Sequence, residues 1–224
     1  KCRTRKVIFG LWIFFLLIVL EGKAISPLQM KLELGFEGFY KIGAWTPLRI
    51  VLENQGSSVE GTLLVKLAKG NLLTEDSAET IYSIPVFLPS FSRKLYQVNI
   101  PLETDIHPLK LSLVSDKKTL LKKEVLLQPF YIDKGFILVV NKSHAGFNFL
   151  TPSGLKRIRQ VLYTDPDKLP NRWIGYDAIQ TLIIDDVESF ELTSEQEKAI
   201  EEWLFIGGKL IITACGGYGL SLIH

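Results

Sequence analysis

The sequence predicts two unlike halves, an antiparallel β-sandwich of immunoglobulin-like type followed by a parallel α/β sheet. Three observations predict it. From Leu28 to about Phe130 apolar and polar residues alternate with period two, and turn signals recur at short intervals. From Phe136 the pattern changes to FILVV (136–140), a solid apolar run of the kind that is buried on both faces of a parallel sheet. From Tyr176 to Gly217 a strand, a capped helix and a second strand follow one another.

The elements follow in order. A basic stretch (Lys1, Arg3, Arg5, Lys6) precedes VIFGLWIFFLLIVL (7–20), and Gly22 and Ala24 supply small residues before a cut after Ala24. This is the three-part layout of a secretory signal. Fourteen residues span about 21 Å at 1.5 Å each, short of the roughly 30 Å hydrocarbon core. Residues 1–24 are therefore read as a signal peptide, with an N-terminal membrane anchor as the alternative. The leader holds five of the 26 Lys+Arg and one of the 24 Asp+Glu, which leaves 21 against 23 and a net charge of −2. That balance offers no basic footprint for nucleic acid. Cys2 lies in the leader, so the remainder has a single cysteine and forms no internal disulfide. Export without disulfides suits a bacterial envelope protein.

In the sandwich half (28–130), candidate strands are MKLEL (30–34), PLRIVLEN (47–54), GTLLVKLA (61–68), TIYSIPVFL (80–88), KLYQVNI (94–100), LKLSLVS (109–115) and LLKKEVLLQ (120–128). Between the first two lies GFEGFYKIGAW (35–45). Its glycines permit tight backbone geometry. Its aromatics, Phe36, Phe39, Tyr40 and Trp45, serve either as core plugs or as an exposed platform for a sugar or peptide, with Trp45 and Tyr40 as the platform candidates.

In the α/β half (134–224), FILVV is the first strand. Thr151-Pro152 then reads as a helix start, with Leu155, Ile158 and Leu162 on one face. The stretch DPDKLPNRWIGY (165–176) is a turn-rich linker, and TLIIDD (181–186) is the second strand. A helix follows, with a capping box from Thr193 to Gln196, a core stripe of Ala199, Ile200, Trp203 and Leu204, and a stop at Gly207. KLIITACGG (209–217) is the third strand.

Ligands of open parallel sheets bind at the carboxyl ends of the strands. The sequence places Asn141-Lys142-Ser143-His144, Asp185-Asp186 and Cys215-Gly216-Gly217 there, which makes His144, Asp185, Asp186, Gly216 and Gly217 candidate crevice residues. Cys215 is the candidate nucleophile, since small neighbours permit the strained turn that exposes a thiol. Thr213 stands where the first glycine of such a turn is usual, and a thiol also needs a base or a helix N-terminus. One cysteine with scattered histidines has no zinc spacing, and no phosphate loop, dinucleotide fingerprint or serine triad occurs. No metal or cofactor is expected.

The chain resembles a group of bacterial envelope proteins built from a signal, a β-sandwich and an α/β domain similar to class I glutamine amidotransferases. The likeness rests on Gly43-Ala44-Trp45-Thr46-Pro47 and Asn54, then on Leu169-Pro170-Asn171-Arg172-Trp173, Gly175-Tyr176-Asp177, Leu192-Thr193-x-x-Gln196, Trp203 and Gly207-Gly208-Lys209-Leu210. It implies a flavodoxin- or amidotransferase-like parallel sheet that is cut short at its C-terminus, a non-catalytic binding or interaction role, and a C-terminal membrane helix beyond His224. Amidotransferases carry Gly-x-Cys-x-Gly and a later His-x-Glu; Cys215 matches the thiol, and no His-x-Glu follows it in this sequence. The expectation is an exported protein of the outer face of the cytoplasmic membrane or the extracellular space, with an envelope protein or a glycan as partner. The rival expectations are a cysteine-dependent amidotransferase or hydrolase using Cys215, and a carbohydrate-binding protein using residues 36–45.

Overall fold

A computed structural model describes residues 27–68, 79–104, 107–128, 135–151, 160–187 and 191–213. The leader and Cys215-Gly216-Gly217 lie outside the described residues. Among those described, no helix is long and apolar enough to cross a membrane.

The first seven strands are β1 (Leu28–Leu34), β2 (Trp45–Asn54), β3 (Val59–Ala68), β4 (Glu79–Leu88), β5 (Ser92–Pro101), β6 (Leu109–Ser115) and β7 (Lys118–Val125). They form a three-stranded sheet, β1-β2-β5, and a four-stranded sheet, β4-β3-β6-β7, with antiparallel pairing throughout. Alternation in sequence becomes alternation in burial. Leu48, Ile50 and Leu52 of β2 meet Leu63 and Val65 of β3 and Leu111 and Leu113 of β6 in one core between the sheets. The seventh strand stops three residues before the predicted end, and Leu126 is left exposed.

Asn54 shows how the two sheets are joined. It is only 2% exposed and sits where the chain leaves β2 for the other sheet. Its Nδ2 donates to Ser57 O (2.8 Å), Pro89 O (3.0 Å) and, more weakly, Leu88 O (3.4 Å). Its Oδ1 accepts from Gly56 N (2.9 Å). One amide therefore ties together two of the arches that cross between the sheets, β2 to β3 and β4 to β5.

The parallel sheet contains β8 (Phe136–Val140), β9 (Gln160–Thr164), β10 (Ile179–Asp185) and β11 (Lys209–Thr213) in the order β11-β10-β8-β9. The central strand β8 is buried along its whole length. Phe136, Leu138 and Val140 face Tyr176, Ile200 and Trp203, whereas Ile137 and Val139 join Val161, Tyr163 and Ile183 on the other side. The single helix of the described residues, α1 (Ser194–Phe205), covers the first face. Thr193 and Gln196 form the predicted capping box. At the far end Gly207 N donates to Leu204 O (3.0 Å) and Gly208 N to Trp203 O (3.1 Å), a Schellman stop in which Gly207 has φ 103°.

One sequence expectation is corrected here. Leu162 does not lie on a helix face; it is a buried residue of β9. Thr151, the expected N-cap, instead accepts from Val161 N through Oγ1 (3.2 Å), a contact that anchors the start of the strand. Val161, Tyr163 and Thr164 are β-branched or aromatic, and burial against β8 favours the extended form. Residues 152–159 lie outside the described residues.

The stretch 165–177 is a docking segment rather than a loose connection. Of its short 3₁₀ turns, Pro166–Lys168 and Trp173–Tyr176, the second packs on β2 and the first is tied to the same strand through Arg49. Arg49 Nη1 donates to Asp167 O (2.8 Å), and Trp45 N donates to Asp177 Oδ2 (2.8 Å). A Cβ on Gly175 would lie 2.5 Å from Pro170 and 2.9 Å from Asn99 Oδ1, so only glycine fits at this contact. Gln196 of α1 donates to Pro166 O (2.9 Å) and Leu169 O (3.1 Å) and ties the helix to the same segment.

Tyr176 is fully buried in that segment, with its hydroxyl donating to Pro170 O (3.1 Å) and its ring 5.7 Å from Trp203. Burial pushes the hydroxyl well above the usual tyrosine range. The folded-state value is raised, so this contribution to stability is complete below the unfolded value of about 10 and is lost as pH rises above it. Urea unfolding followed from pH 8 to 11 should show stability falling steeply above about pH 10. Tyr176→Phe should flatten that decline at a cost of about 1 kcal/mol at neutral pH.

Candidate functional site

The carboxyl ends of the parallel strands gather polar side chains, and β8 and β10 lie side by side although β9 intervenes in sequence. Such a reversal of strand order opens a crevice above the sheet. The end of β8 runs into Asn141, which is 1% exposed. Its Nδ2 donates to Ala145 O (3.0 Å) and to Asp185 Oδ2 at the end of β10 (3.1 Å). The other carboxylate oxygen of Asp185 accepts from Thr213 Oγ1 at the end of β11. Three neighbouring strand ends are thus joined by one carboxylate, while the buried Asn141 Oδ1 has no hydrogen-bond partner in the protein.

His144 sits on the loop after β8 in the left-handed region (φ 48°), which is uncommon for a residue with a side chain. Its Nε2 lies 2.9 Å from Asp165 Oδ1 at the end of β9, and its Nδ1 lies 3.4 Å from Glu37 Oε1 on the β1–β2 loop. The ring stacks on Tyr163 at 6.3 Å. A hydrogen bond from Lys168 (2.9 Å) is the main reason that Asp165 stays below the usual carboxylate range, with His144 adding to it and partial burial opposing. Asp165 therefore contributes stability above its unfolded value of about 4, and that contribution is lost as pH falls. Lys142 pairs with Glu191 at 2.9 Å across the same edge.

Of the candidates read from sequence, His144 and Asp185 stand on this edge, each held by its own partners. Asp186 follows at the β10 end, exposed and also left-handed (φ 52°). Cys215, Gly216 and Gly217 lie outside the described residues. Among those described, no group of three or more His, Cys, Asp and Glu side chains could hold a metal ion. Sequence reading missed Glu37, Asp165 and the joining role of Thr213. A helix face that includes Leu162 hides Asp165, which the strand Gln160–Thr164 places at a carboxyl end.

Of the two readings of the aromatic segment, core packing holds for Phe36 and Tyr40, which therefore offer no exposed platform. Tyr40 is 4% exposed within the sandwich core, and Phe36 and Ala44 are buried in the core of the parallel sheet. Gly35 turns the chain at φ 67°, and a Cβ there would lie 2.0 Å from Phe39 O. The loop folds back on itself through paired bonds between Phe36 and Phe39 (2.9 and 2.8 Å), which direct its aromatics inward. Phe39 and Trp45 remain half-buried, and Trp45 lies beside an open cleft.

Residues 27–128 match the model of a domain of unknown function, DUF8726. The match spans β1 to β7 and stops before the parallel sheet. No curated protein matches the chain. Among solved structures, similarity extends to the Pseudomonas fluorescens alkylpurine DNA glycosylase AlkC bound to DNA with an abasic site analog, at 9% identity over 45% of this chain and 30% of that one, TM-score 0.32. A β-glucosidase from Listeria innocua in complex with isofagomine shares 12% identity over 44% of this chain and 16% of its own, TM-score 0.31. The Bacillus subtilis sporulation control protein Spo0M shares 7% over 46% and 49%, TM-score 0.29. The chain spans less than half the length of each, and likeness at this level carries no argument about function.

Proposed function

We propose that the chain is an exported, membrane-associated envelope protein that acts as a non-catalytic binding or interaction module. In this reading an immunoglobulin-like sandwich is joined to an α/β unit of flavodoxin or amidotransferase type. The strand orders support that architecture. One sheet pairs the first, second and fifth strands, the other pairs the fourth, third, sixth and seventh, and the parallel strands run second, first, third, fourth in chain order. The leader supports export.

The observation that carries the non-catalytic reading is the engagement of His144. Both ring nitrogens face carboxylates, Asp165 and Glu37, which belong to different parts of the fold. A histidine that joins two elements in this way holds them in place. Asp185 is likewise held by Asn141 and Thr213. The polar edge thus supports a rigid frame more than an acid–base pair.

Alkylation of Cys215 tests this directly. Iodoacetamide should label it with an ordinary thiol profile, slow at pH 7 and accelerating towards about pH 8.5. Fast labelling that is flat from pH 6 to 8 would overturn the proposal in favour of the cysteine-dependent hydrolase. Membrane association has its own readout, because expression of the full chain in a bacterial host should place it in the membrane fraction, accessible to external protease in spheroplasts. Recovery in the cytosol would sink that part.

A further inference from the structure

One end of the sandwich carries two aromatics that the described residues leave uncovered. Phe91, in the arch between β4 and β5, is 83% exposed, and Phe87 near the end of β4 is 53% exposed. Phe91 also holds φ 52°, in the left-handed region that costs a bulky side chain free energy. Gly or Asn would fill such a turn with less strain. A strained position that buries so little of a large apolar ring within the protein points to a contact outside it.

The chain enters the sandwich at this same end. Leu28, Asn54 and Ser92 lie in one row across β1, β2 and β5. Pro27 and Phe91 each stand one residue beyond that row, on strands two spacings apart, which is about 10 Å. Both places are fixed by hydrogen bonds. Gln55 N donates to Pro27 O (2.7 Å), and Asn54 Nδ2 and Ser92 Oγ donate to Pro89 O (3.0 and 2.6 Å). Residues 21–26 alone separate Pro27 from the apolar run 7–20. The seven steps from Leu20 to Pro27 reach about 25 Å even at full extension. An apolar run seated in a bilayer therefore keeps this end of the sandwich within that distance of the lipid.

We infer that this end of the sandwich rests on the bilayer that holds the leader, with the Phe91 ring entering the headgroup region. That orientation rests on the membrane-associated reading above, with residues 1–24 kept as the anchor. Aromatic rings suit the boundary between headgroups and acyl chains. Lys94 Nζ lies 5.5 Å from the centre of the Phe87 ring, so an ammonium group accompanies the second aromatic to the level of the phosphates. Charge is otherwise nearly balanced here. Arg93 pairs with Glu53 (3.5 Å), and Lys117 and Lys118 of the β6–β7 turn are offset by Asp116 and by Glu60 at the start of β3. The contact is therefore mainly apolar, and uncharged phosphatidylcholine is a sufficient surface for it.

A fluorescent label that compares the two ends of the sandwich tests it. Cys2→Ser and Cys215→Ser remove the native thiols, and Ser90→Cys or Glu103→Cys then places one nitrobenzoxadiazole label at an exposed site on either end. The full chain is reconstituted in phosphatidylcholine vesicles and quenched with iodide. The label at 90 should be quenched about threefold less than the label at 103, because the headgroup region shields it from the aqueous anion. Phe91→Asn should leave the thermal midpoint unchanged or higher, since Asn tolerates the left-handed backbone, and should remove most of the protection at 90. Equal quenching at both positions, or protection at 90 that survives Phe91→Asn, would overturn the orientation and leave the membrane reading standing. A chain that fails to float with the vesicles would remove both.

Discussion

Replacing Asn54 with alanine should lower the unfolding free energy by about 3 kcal/mol, read from the midpoint of urea denaturation. The side chain is buried and makes four bonds to the main chain, one of them long. Truncation removes the side-chain partner of the Gly56 N–H and of the Ser57 and Leu88 carbonyls, which are part-buried or buried where Asn54 meets them. Each stranded buried group costs about 1–3 kcal/mol. Pro89 O keeps one partner, because Ser92 Oγ also donates to it at 2.6 Å, which holds the total down. Asn54→Asp should be no better than alanine, since a carboxylate would face three carbonyl oxygens that need a donor. A loss below 1 kcal/mol for both variants would show that the arches hold without the amide.

Trp203→Ala should cost about 3–5 kcal/mol, the range for truncating a large buried aromatic. The ring is the main side chain by which α1 covers β8, and it packs on Tyr176 at 5.7 Å. A net stability of 5–15 kcal/mol leaves little margin for such a change. Gly208 makes the test sharper. A Cβ there would lie 2.3 Å from the Trp203 ring, so Gly208→Ala alone should be strongly destabilising. In the Trp203→Ala background the same substitution should cost little, because the atoms it strikes are gone. The double-mutant cycle should therefore give a coupling energy above about 1 kcal/mol, and simple additivity would rule out the packing account.

Both residues belong to motifs that drew attention in the sequence, and the structure gives those motifs a common role. Asn54 joins the arches of the sandwich. Trp45, Pro170, Gly175, Tyr176 and Asp177 form the contact between the sandwich and the docking segment, and Gln196, Trp203 and Gly208 fix α1 upon it. The resemblance was thus carried by residues that assemble the fold. It was not carried by residues of a reaction centre, which is why the motifs named an architecture and left the chemistry open.

Local physics made most elements legible in the chain. LKLSLVS and FILVV have the bounds that alternation and solid apolarity predict, because a strand's side-chain period is set by its own backbone. The capping box at Thr193 and the glycine stop at Gly207 are likewise readable, since caps satisfy orphan main-chain groups within a few residues. Residues 160–164 defeated the same reasoning. Their apolar positions fit a helix face or a buried strand equally well, and only the vacant edge of β8 decided between them.

By itself, then, the sequence determined most of where the chain is extended, the bounds of strands such as β6 and β8, and where α1 begins and stops. The tertiary structure alone decided which aromatics of 35–45 enter which core, that Glu37 and Asp165 meet on His144, and that Trp45 borders a cleft. These are contacts between groups up to 132 residues apart, as in the Trp45–Asp177 bond. No backbone period encodes such a separation; the packing of the two sheets and the docking segment sets it.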